Sequence, residues 1–275
     1  MEVLMLQLST LAYGLAATGY VVAVLRPAAR TGRPAAFMLS LAFALHTLFL
    51  VARGFSEGIL PVLTFTEGLA FFGWLLVGVY LVAQARYRLA GLGAVVAPLA
   101  FASVLAAALF TSGGATLPEN LRSPWLAVHI TLAFLGNAVF ALAFATSSLY
   151  LLQESLVKNR RRGGLMQRLP PLGQLDRLSY LFLAWGFPLL TLGILSGGVW
   201  AAAAWGRFWT GEPREILSVL TWFLYAGLIQ LRLTGGLGGR RAATFTIFAF
   251  GVLALSYVAV NVLSLPGRHG AGLLP

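Results

Sequence analysis

Residues 126–152 read LAVHITLAFLGNAVFALAFATSSLYLL, a run that contains no Lys, Arg, Asp or Glu. An uncharged, apolar run of about 20 residues is the signature of a helix that crosses a bilayer. The whole chain follows this pattern, because 59% of its 275 residues are hydrophobic and only 10% are charged, against roughly 25% charged in an average soluble domain. The composition therefore predicts an all-α, polytopic integral membrane protein.

Eight transmembrane helices are predicted. They cover residues 4–25, 35–52, 65–85, 89–111, 126–152, 179–200, 215–232 and 243–264. At a rise of 1.5 Å per residue, the shortest reaches about 27 Å, which suffices for a thin hydrocarbon core. No basic segment precedes the first run and no clear cleavage site follows it, so we expect a mature helix and not a signal peptide. We expect residues 1–275 to form a single transmembrane domain.

The basic residues predict the orientation of these helices. Of the 19 Lys and Arg residues, 14 lie in or beside the odd-numbered loops, at 26–33, 86–88, 158–177 and 232–241. Short loops rich in Lys and Arg stay cytoplasmic, so we expect both termini and the even-numbered loops outside. NRRRGG (159–164) is interpreted as a topology anchor that also meets anionic lipid headgroups. No aromatic platform accompanies it, so no nucleic-acid partner is predicted.

Several classes of chemistry are excluded by residue type and motif. The absence of cysteine excludes disulfides, thiolate metal sites, thiol catalysis and covalent haem attachment to this chain. No H-E-x-x-H, G-x-S-x-G or Walker-type phosphate loop occurs. We find no internal repeat, so an inverted-repeat transporter has no support from the sequence.

The few histidines point to one outer face. In the predicted topology, His129 begins the fifth span and His269 lies in the C-terminal tail, both outside. The outer loop between spans six and seven reads AWGRFWTGEPRE (204–215). Two imidazoles beside an apolar aromatic surface suit a planar iron porphyrin, whose iron takes axial histidines and whose ring packs on aromatic side chains.

Simpler interpretations stay open for the same residues. Tryptophans at a membrane interface commonly serve as aromatic-belt anchors. His46 lies within the second span, where polar side chains are costly and often functional. A hydrogen-bonded packing role is at least as well supported for it as iron ligation. Arg207, Arg214 or Arg122 would pair with porphyrin propionates.

Three outer segments carry a family resemblance. They are PVLTFTEGLAFFGW (61–74), SPWLAVHITLAFLGNAVFALAF (123–144) and VNVLSLPGRHGAG (260–272). Together with the Trp-rich loop they resemble the cytochrome c assembly proteins of the CcsA/ResC and CcmC type, which include HemX-like members. The family's Trp-rich loop, the WWD domain, is matched in register at Trp205, Gly206, Phe208, Trp209, Pro213 and Glu215, with Arg214 in place of Lys. Glu67 stands at the acidic position of the earlier outer loop.

The resemblance implies a membrane protein that handles haem. It implies that His129 and His269 are the axial ligands of a b-type, non-covalent haem, held stably or transiently at the outer face. Beside them, the resemblance assigns the cofactor site to Trp205, Phe208, Trp209, Trp200, Trp125, Arg207 and Glu212. It also implies apocytochrome c and a subunit with an outer soluble domain as partners, in the inner (plasma) membrane. The family-like core covers about 45–270, and the degenerate WWD loop covers 200–215.

Departures from the family pattern leave alternatives open. Gly211 replaces the third tryptophan of the loop, Glu212 replaces its aspartate, and Gln230 stands where haem-exporting members carry a histidine. These changes favour a HemX-like regulator or haem sensor over haem delivery. At most, the protein would be a subunit of a cytochrome c haem-attachment (synthase) complex. A small-solute permease is the alternative of another class, although His46, Asn137 and Gln230 are among the few polar residues within the spans.

Overall fold

The computed structural model describes residues 2–26, 31–58, 61–62, 64–87, 91–110, 123–159 and 169–262. In these ranges the chain forms eight helices and no strand, which confirms the predicted all-α class. The helices are α1 (Glu2–Leu25), α2 (Gly32–Glu57), α3 (Phe65–Tyr87), α4 (Gly93–Leu109), α5 (Pro124–Lys158), α6 (Leu172–Trp205), α7 (Pro213–Thr234) and α8 (Gly239–Val262).

Seven of the described helices are long and apolar enough to cross a membrane. The exception is α4, which has 17 residues and rises about 26 Å. It occupies the middle of the predicted fourth span, 89–111. Membrane-spanning helices are thus confirmed, while the full count of eight crossings stays a prediction.

The central helices α5 and α6 are longer than the sequence predicts. They have 35 and 34 residues and rise about 50 Å each, whereas a bilayer core is about 30 Å thick. The fifth predicted span stopped at residue 152, just before the charged Glu154, and the sixth started at residue 179, just after the charged Asp176 and Arg177. Charge ends a hydrophobic run but does not end a helix, so both helices continue beyond the apolar segment.

Local signals fix the helix ends that later matter for the site. The Ser123 hydroxyl accepts a hydrogen bond from the backbone N–H of Trp125 (3.3 Å) and caps α5, with Pro124 in its first turn. Pro213 likewise opens α7, where its fixed φ suits a helix start. Gly206 ends α6 with a φ of 71°, a left-handed conformation that glycine adopts at little cost.

The helices alternate in direction, which gives the bundle two distinct ends. We call the end that carries residues 206–212 the loop end and the opposite one the basic end. At the basic end, Arg232 forms an ion pair with Asp176 (2.7 Å) and Lys158 with Glu154 (2.8 Å). These contacts tie α7 to α6 and complete the last turns of α5.

The most extensive helix pair is α5 with α6. The two helices meet at regular steps of four, three, four and seven residues, the spacing of a heptad seam. We call this contact line the α5–α6 seam; its facing pairs are His129–Gly197, Ala133–Gly193, Gly136–Leu190, Phe140–Gly186 and Ser147–Ser179. Four of the five pairs contain a glycine, which lets the backbones approach closely. The segment GILSG (193–197) has a small-x-x-x-small spacing, which predicts close helix packing. Both of its glycines lie in this seam, which confirms the prediction.

Candidate functional site

Five helices meet at the loop end. The rings of Phe65 and Tyr257 stack with centroids 5.4 Å apart, which joins the start of α3 to the end of α8. Arg214 Nη2 donates to Asn261 Oδ1 over 2.9 Å, which joins the start of α7 to the same end of α8. The start of α5, the end of α6 and the loop between α6 and α7 complete this end.

His129 occupies the seam position nearest to the loop end. Its Nδ1 lies 2.7 Å from the carbonyl oxygen of Gly193. A carbonyl oxygen only accepts hydrogen bonds, so Nδ1 is the donor and carries the ring proton. In the neutral imidazole the lone pair then lies on Nε2. This is the tautomer of a histidine that ligates metal through Nε2.

The aromatic loop folds back on the last turns of α6. The ring of Phe208 packs on Gly198, where a Cβ would collide with it. Glu215 holds the other side of the loop by accepting hydrogen bonds from the Thr210 amide (2.9 Å), the Thr210 hydroxyl (2.8 Å) and the Gly211 amide (2.8 Å). The loop is thus fixed to both helices that it connects.

The predicted aromatic residues fall into two groups by exposure. Trp125, Phe208 and Trp209 are 54%, 52% and 47% exposed, so their faces are accessible at the loop end. Trp200 is only 2% exposed. It meets Trp205 edge to face, with centroids 4.7 Å apart, and so supports Trp205 from below.

The predicted charged residues also differ in their surroundings. Arg207 is exposed in the loop, whereas the Arg214 guanidinium contacts Asn261. Glu212 is buried at the N-terminus of α7. Arg122, the third predicted partner for propionates, lies outside the described residues.

Glu67 has a structural role at the start of α3 that the family motif did not predict. Its Oε2 accepts from the Thr64 backbone N–H (3.1 Å), and the Thr64 hydroxyl accepts from the Glu67 backbone N–H (3.2 Å). These reciprocal bonds form a capping box at the start of α3. Its other oxygen pairs with Arg53 at 3.0 Å, which ties the end of α2 to the start of α3.

The remaining polar residues singled out in the sequence lie elsewhere. His46 is fully buried between α1 and α2, with Nδ1 3.4 Å from the Tyr13 hydroxyl. Among the described residues, its Nε2 has no hydrogen-bond partner. Gln230 is exposed on α7, near the basic end. His269 lies outside the described residues, so its pairing with His129 stays a prediction.

The sequence did not show which residues hold the site together. Gly197 was predicted only to allow close helix packing, and it makes room for His129. Gly198 makes room for Phe208, and Asn261 anchors Arg214; neither was predicted. The heptad spacing of His129, Ala133, Gly136 and Phe140 was a usable signal for the seam, since the matching spacing recurs in α6.

The seven apolar helices and their arrangement define a multi-pass helical membrane protein. A family model described as "Cytochrome C assembly protein" matches residues 62–266, which is most of the chain. The chain belongs to the cytochrome c assembly protein family, as the sequence motifs predicted.

Curated relatives also match most of the chain. The "Cytochrome c biogenesis protein CcsA" of Porphyra purpurea is 30% identical over 267 residues, covering 82% of this chain and 83% of the relative. The protein of the same name from Chlamydomonas reinhardtii is 32% identical over 243 residues, covering 86% of this chain and 67% of the relative. That of Gloeobacter violaceus is 29% identical over 298 residues.

A solved structure supports the fold. The "Cytochrome c Heme Lyase CcmF" superposes with a TM-score of 0.66 at 19% sequence identity. The match covers 94% of this chain and 46% of that chain. This chain therefore shares the helical fold of a region that makes up about half of the larger protein.

Proposed function

We propose that this protein binds haem at the loop end and presents it for attachment to apocytochrome c. The observation that carries the proposal is the hydrogen bond from His129 Nδ1 to the Gly193 carbonyl. It assigns the lone pair of the neutral ring to Nε2, beside an exposed aromatic loop. Family membership supports the same chemistry, because cytochrome c assembly requires haem handling.

Each residue of the proposed site has a defined task. His129 and His269 would hold the iron of a b-type, non-covalent haem. Trp205, Phe208, Trp209 and Trp125 pack against the porphyrin, while Trp200 supports Trp205. Arg207 is the exposed cation for a propionate. This chain would bind and orient the haem, whose vinyl groups would supply the carbons to which the cysteine thiols of apocytochrome c add.

The proposed setting follows from the charge distribution. The protein lies in the inner (plasma) membrane with the basic end in the cytoplasm. The loop and both termini then face the periplasmic or outer side, where apocytochrome c is reached. Apocytochrome c and an assembly subunit with an outer soluble domain are the proposed partners. The protein is at most one subunit of the attachment complex.

A HemX-like regulator or haem sensor is the second candidate, and Gly211 is the observation that favours it. Its φ is 77°, in the left-handed region where L side chains are rarely found. The loop therefore has a backbone shape unsuited to the tryptophan that the family carries there. Such a site would still bind haem but would transfer it poorly.

Optical spectroscopy of the purified protein tests haem binding and its ligands. With haem supplied during expression, we expect a Soret band in wild type and its loss or shift in His129→Ala and in His269→Ala. His46→Leu, on the α1–α2 side, is the matched control and should keep the wild-type spectrum. A wild-type protein without a Soret band would contradict haem binding. Unchanged spectra in both alanine variants would overturn the ligand assignment alone.

Deletion of the gene separates delivery from regulation. Haem staining of membrane c-type cytochromes should fall if the protein presents haem for attachment. Normal c-type cytochromes with altered amounts of haem-biosynthesis enzymes would instead support the regulator.

A further inference from the structure

We infer that Gly193 and Gly197 of α6 are positioning residues that set the tautomer and orientation of His129. The inference rests on the proposed haem ligation, because it concerns how the proposed ligand is prepared for iron. Neither glycine contacts the porphyrin site directly. Both act through the imidazole of His129.

The Gly193 carbonyl selects the tautomer. It lies 2.7 Å from His129 Nδ1 and 2.9 Å from the Ser196 hydroxyl, which also donates to it. The oxygen belongs to α6 and cannot rotate away as a side chain can. A hydrogen bond from the distal ring nitrogen to a carbonyl fixes the ring of a metal-ligating histidine and raises its basicity.

Gly197 provides the space that the imidazole occupies. A Cβ at this position would lie 2.6 Å from Cε1 and 2.7 Å from Nδ1 of His129. Both separations are shorter than van der Waals contact, so a methyl group would force the ring to move. The same motion would lengthen the bond from Nδ1 to the Gly193 carbonyl.

The rest of the seam makes this arrangement rigid. Below His129, a Cβ at Gly193 would lie 3.0 Å from the Ala133 backbone, and one at Gly136 would lie 2.9 Å from the Leu190 nitrogen. The helices are therefore in close contact for two turns beneath the histidine. The ring is held at the open end of a tightly packed helix pair, beside the aromatic loop.

Nitrogen NMR of the haem-free protein tests the tautomer directly. With only three histidines in the chain, ¹⁵N-histidine labelling and single His→Ala variants assign every ring signal. We expect the ring proton of wild-type His129 on Nδ1. A ring proton on Nε2 would overturn the inference, and this wild-type measurement does not depend on any glycine variant folding.

Gly197→Ala tests the space beneath the ring. We expect this variant to lose the single Nδ1–H tautomer and to bind haem about 10- to 100-fold more weakly, the usual effect of disturbing a partner of a metal-ligating histidine. The reduction potential of its bound haem should rise, because the ligand becomes less basic.

Two alanine controls separate positioning from packing. Gly186→Ala overpacks the same seam three turns away, where the Cβ would meet the Phe140 ring, and Gly227→Ala adds a methyl group where no atom lies within 4 Å. Both should keep the wild-type tautomer, haem affinity and potential, although Gly186→Ala should lower the melting temperature. If Gly186→Ala changes the haem parameters as much as Gly197→Ala does, general packing is responsible and the inference is wrong.

The failure of this inference is distinguishable from failure of the proposed function. Wild type that binds haem, with Gly197→Ala unchanged in affinity and potential, overturns the positioning role alone. Wild type that binds no haem overturns the proposed function, and the positioning role for ligation falls with it. The NMR result would then describe helix packing only.

Discussion

Glu215 is the residue that joins the aromatic loop to the helix that follows it. Its carboxylate accepts three hydrogen bonds, from the amide and hydroxyl of Thr210 and from the amide of Gly211. As the third residue of α7, it also places negative charge at a helix N-terminus. Its match to the family's loop motif thus has a structural reason.

Replacing Glu215 should release the loop. We expect Glu215→Ala to lower the stability of this region by about 1–3 kcal/mol, because the donor groups of Thr210 and Gly211 lose a charged acceptor. Trypsin should then cut faster after the exposed Arg207, as followed by gel electrophoresis of the purified protein. Ser218→Ala is the control, since its hydroxyl bonds only to a carbonyl of its own helix. Equal cleavage rates in Glu215→Ala and wild type would contradict this role.

His46 and Tyr13 form a buried polar pair. Both side chains are fully buried, and the Tyr13 hydroxyl is 3.4 Å from His46 Nδ1. Removal of one partner leaves the other buried without a hydrogen bond, whereas removal of both is nearly neutral.

A double-mutant cycle tests this pairing. We expect His46→Leu alone to cost about 1 kcal/mol and the double variant Tyr13→Phe/His46→Leu to return close to wild type. Thermal unfolding in detergent measures both. A double variant that loses the sum of the single losses would exclude coupling between the two side chains.

At the scale of elements, the α5–α6 seam combines large and small residues. Gly186 accommodates Phe140, whose ring also stacks on Tyr225 with centroids 3.7 Å apart. The glycine of α6 therefore lets one aromatic ring connect α5, α6 and α7.

A methyl group at Gly186 should disturb this connection. Its Cβ would lie 2.7 Å from the Phe140 ring, and overpacking of a close-packed interior costs about 1–3 kcal/mol. We expect Gly186→Ala to lower the melting temperature clearly, whereas Gly251→Ala, with no atom within 4 Å, should not. Equal melting temperatures for the two variants would show that α5 and α6 can move apart at this position without loss of stability.

The sequence predicted the existence of these helices better than their ends. Apolar runs such as 126–152 identify a helix that crosses lipid, because the bilayer demands them. The extension of α5 to Lys158 was not predicted, because the residues beyond the apolar run include charged ones. In the structure, two of these, Glu154 and Lys158, form an ion pair within the helix. Hydropathy identifies the part of a helix that lies in the membrane but not the residues at which the helix begins and ends.

For the candidate site, the sequence predicted a shared end of the bundle but none of the contacts that position its side chains. The topology and the family motif brought His129 and the Trp-rich loop to one end. The sequence could not assign the Gly193 carbonyl as the partner of His129, since every residue offers a carbonyl and only tertiary packing selects one. The burial of Trp200 under Trp205 also depends on tertiary packing, so the sequence did not predict it.

At the scale of the whole molecule, the chain provides its own tool for testing orientation. It contains no cysteine, so a single introduced cysteine is the only thiol that a maleimide can label. Arg207 and Lys158 are exposed at opposite ends of the bundle.

Labelling of intact cells therefore measures sidedness. We expect a membrane-impermeant maleimide to label Arg207→Cys in intact cells and Lys158→Cys only after permeabilisation, because Lys- and Arg-rich loops stay cytoplasmic. The cysteine-free parent chain is the control. The reverse pattern would invert the topology and move the proposed haem site to the cytoplasmic side.

The hydrogen bond between His129 and the Gly193 carbonyl also has a consequence for the release of a ligated iron. In the doubly protonated imidazolium, Nδ1 still donates to the carbonyl, while Nε2 holds a proton in place of its lone pair. A proton and an iron atom thus compete for one electron pair, and neither outcome requires the helices to separate. Under the proposed ligation, His129 would therefore exchange iron for a proton without losing its hydrogen bond to the Gly193 carbonyl.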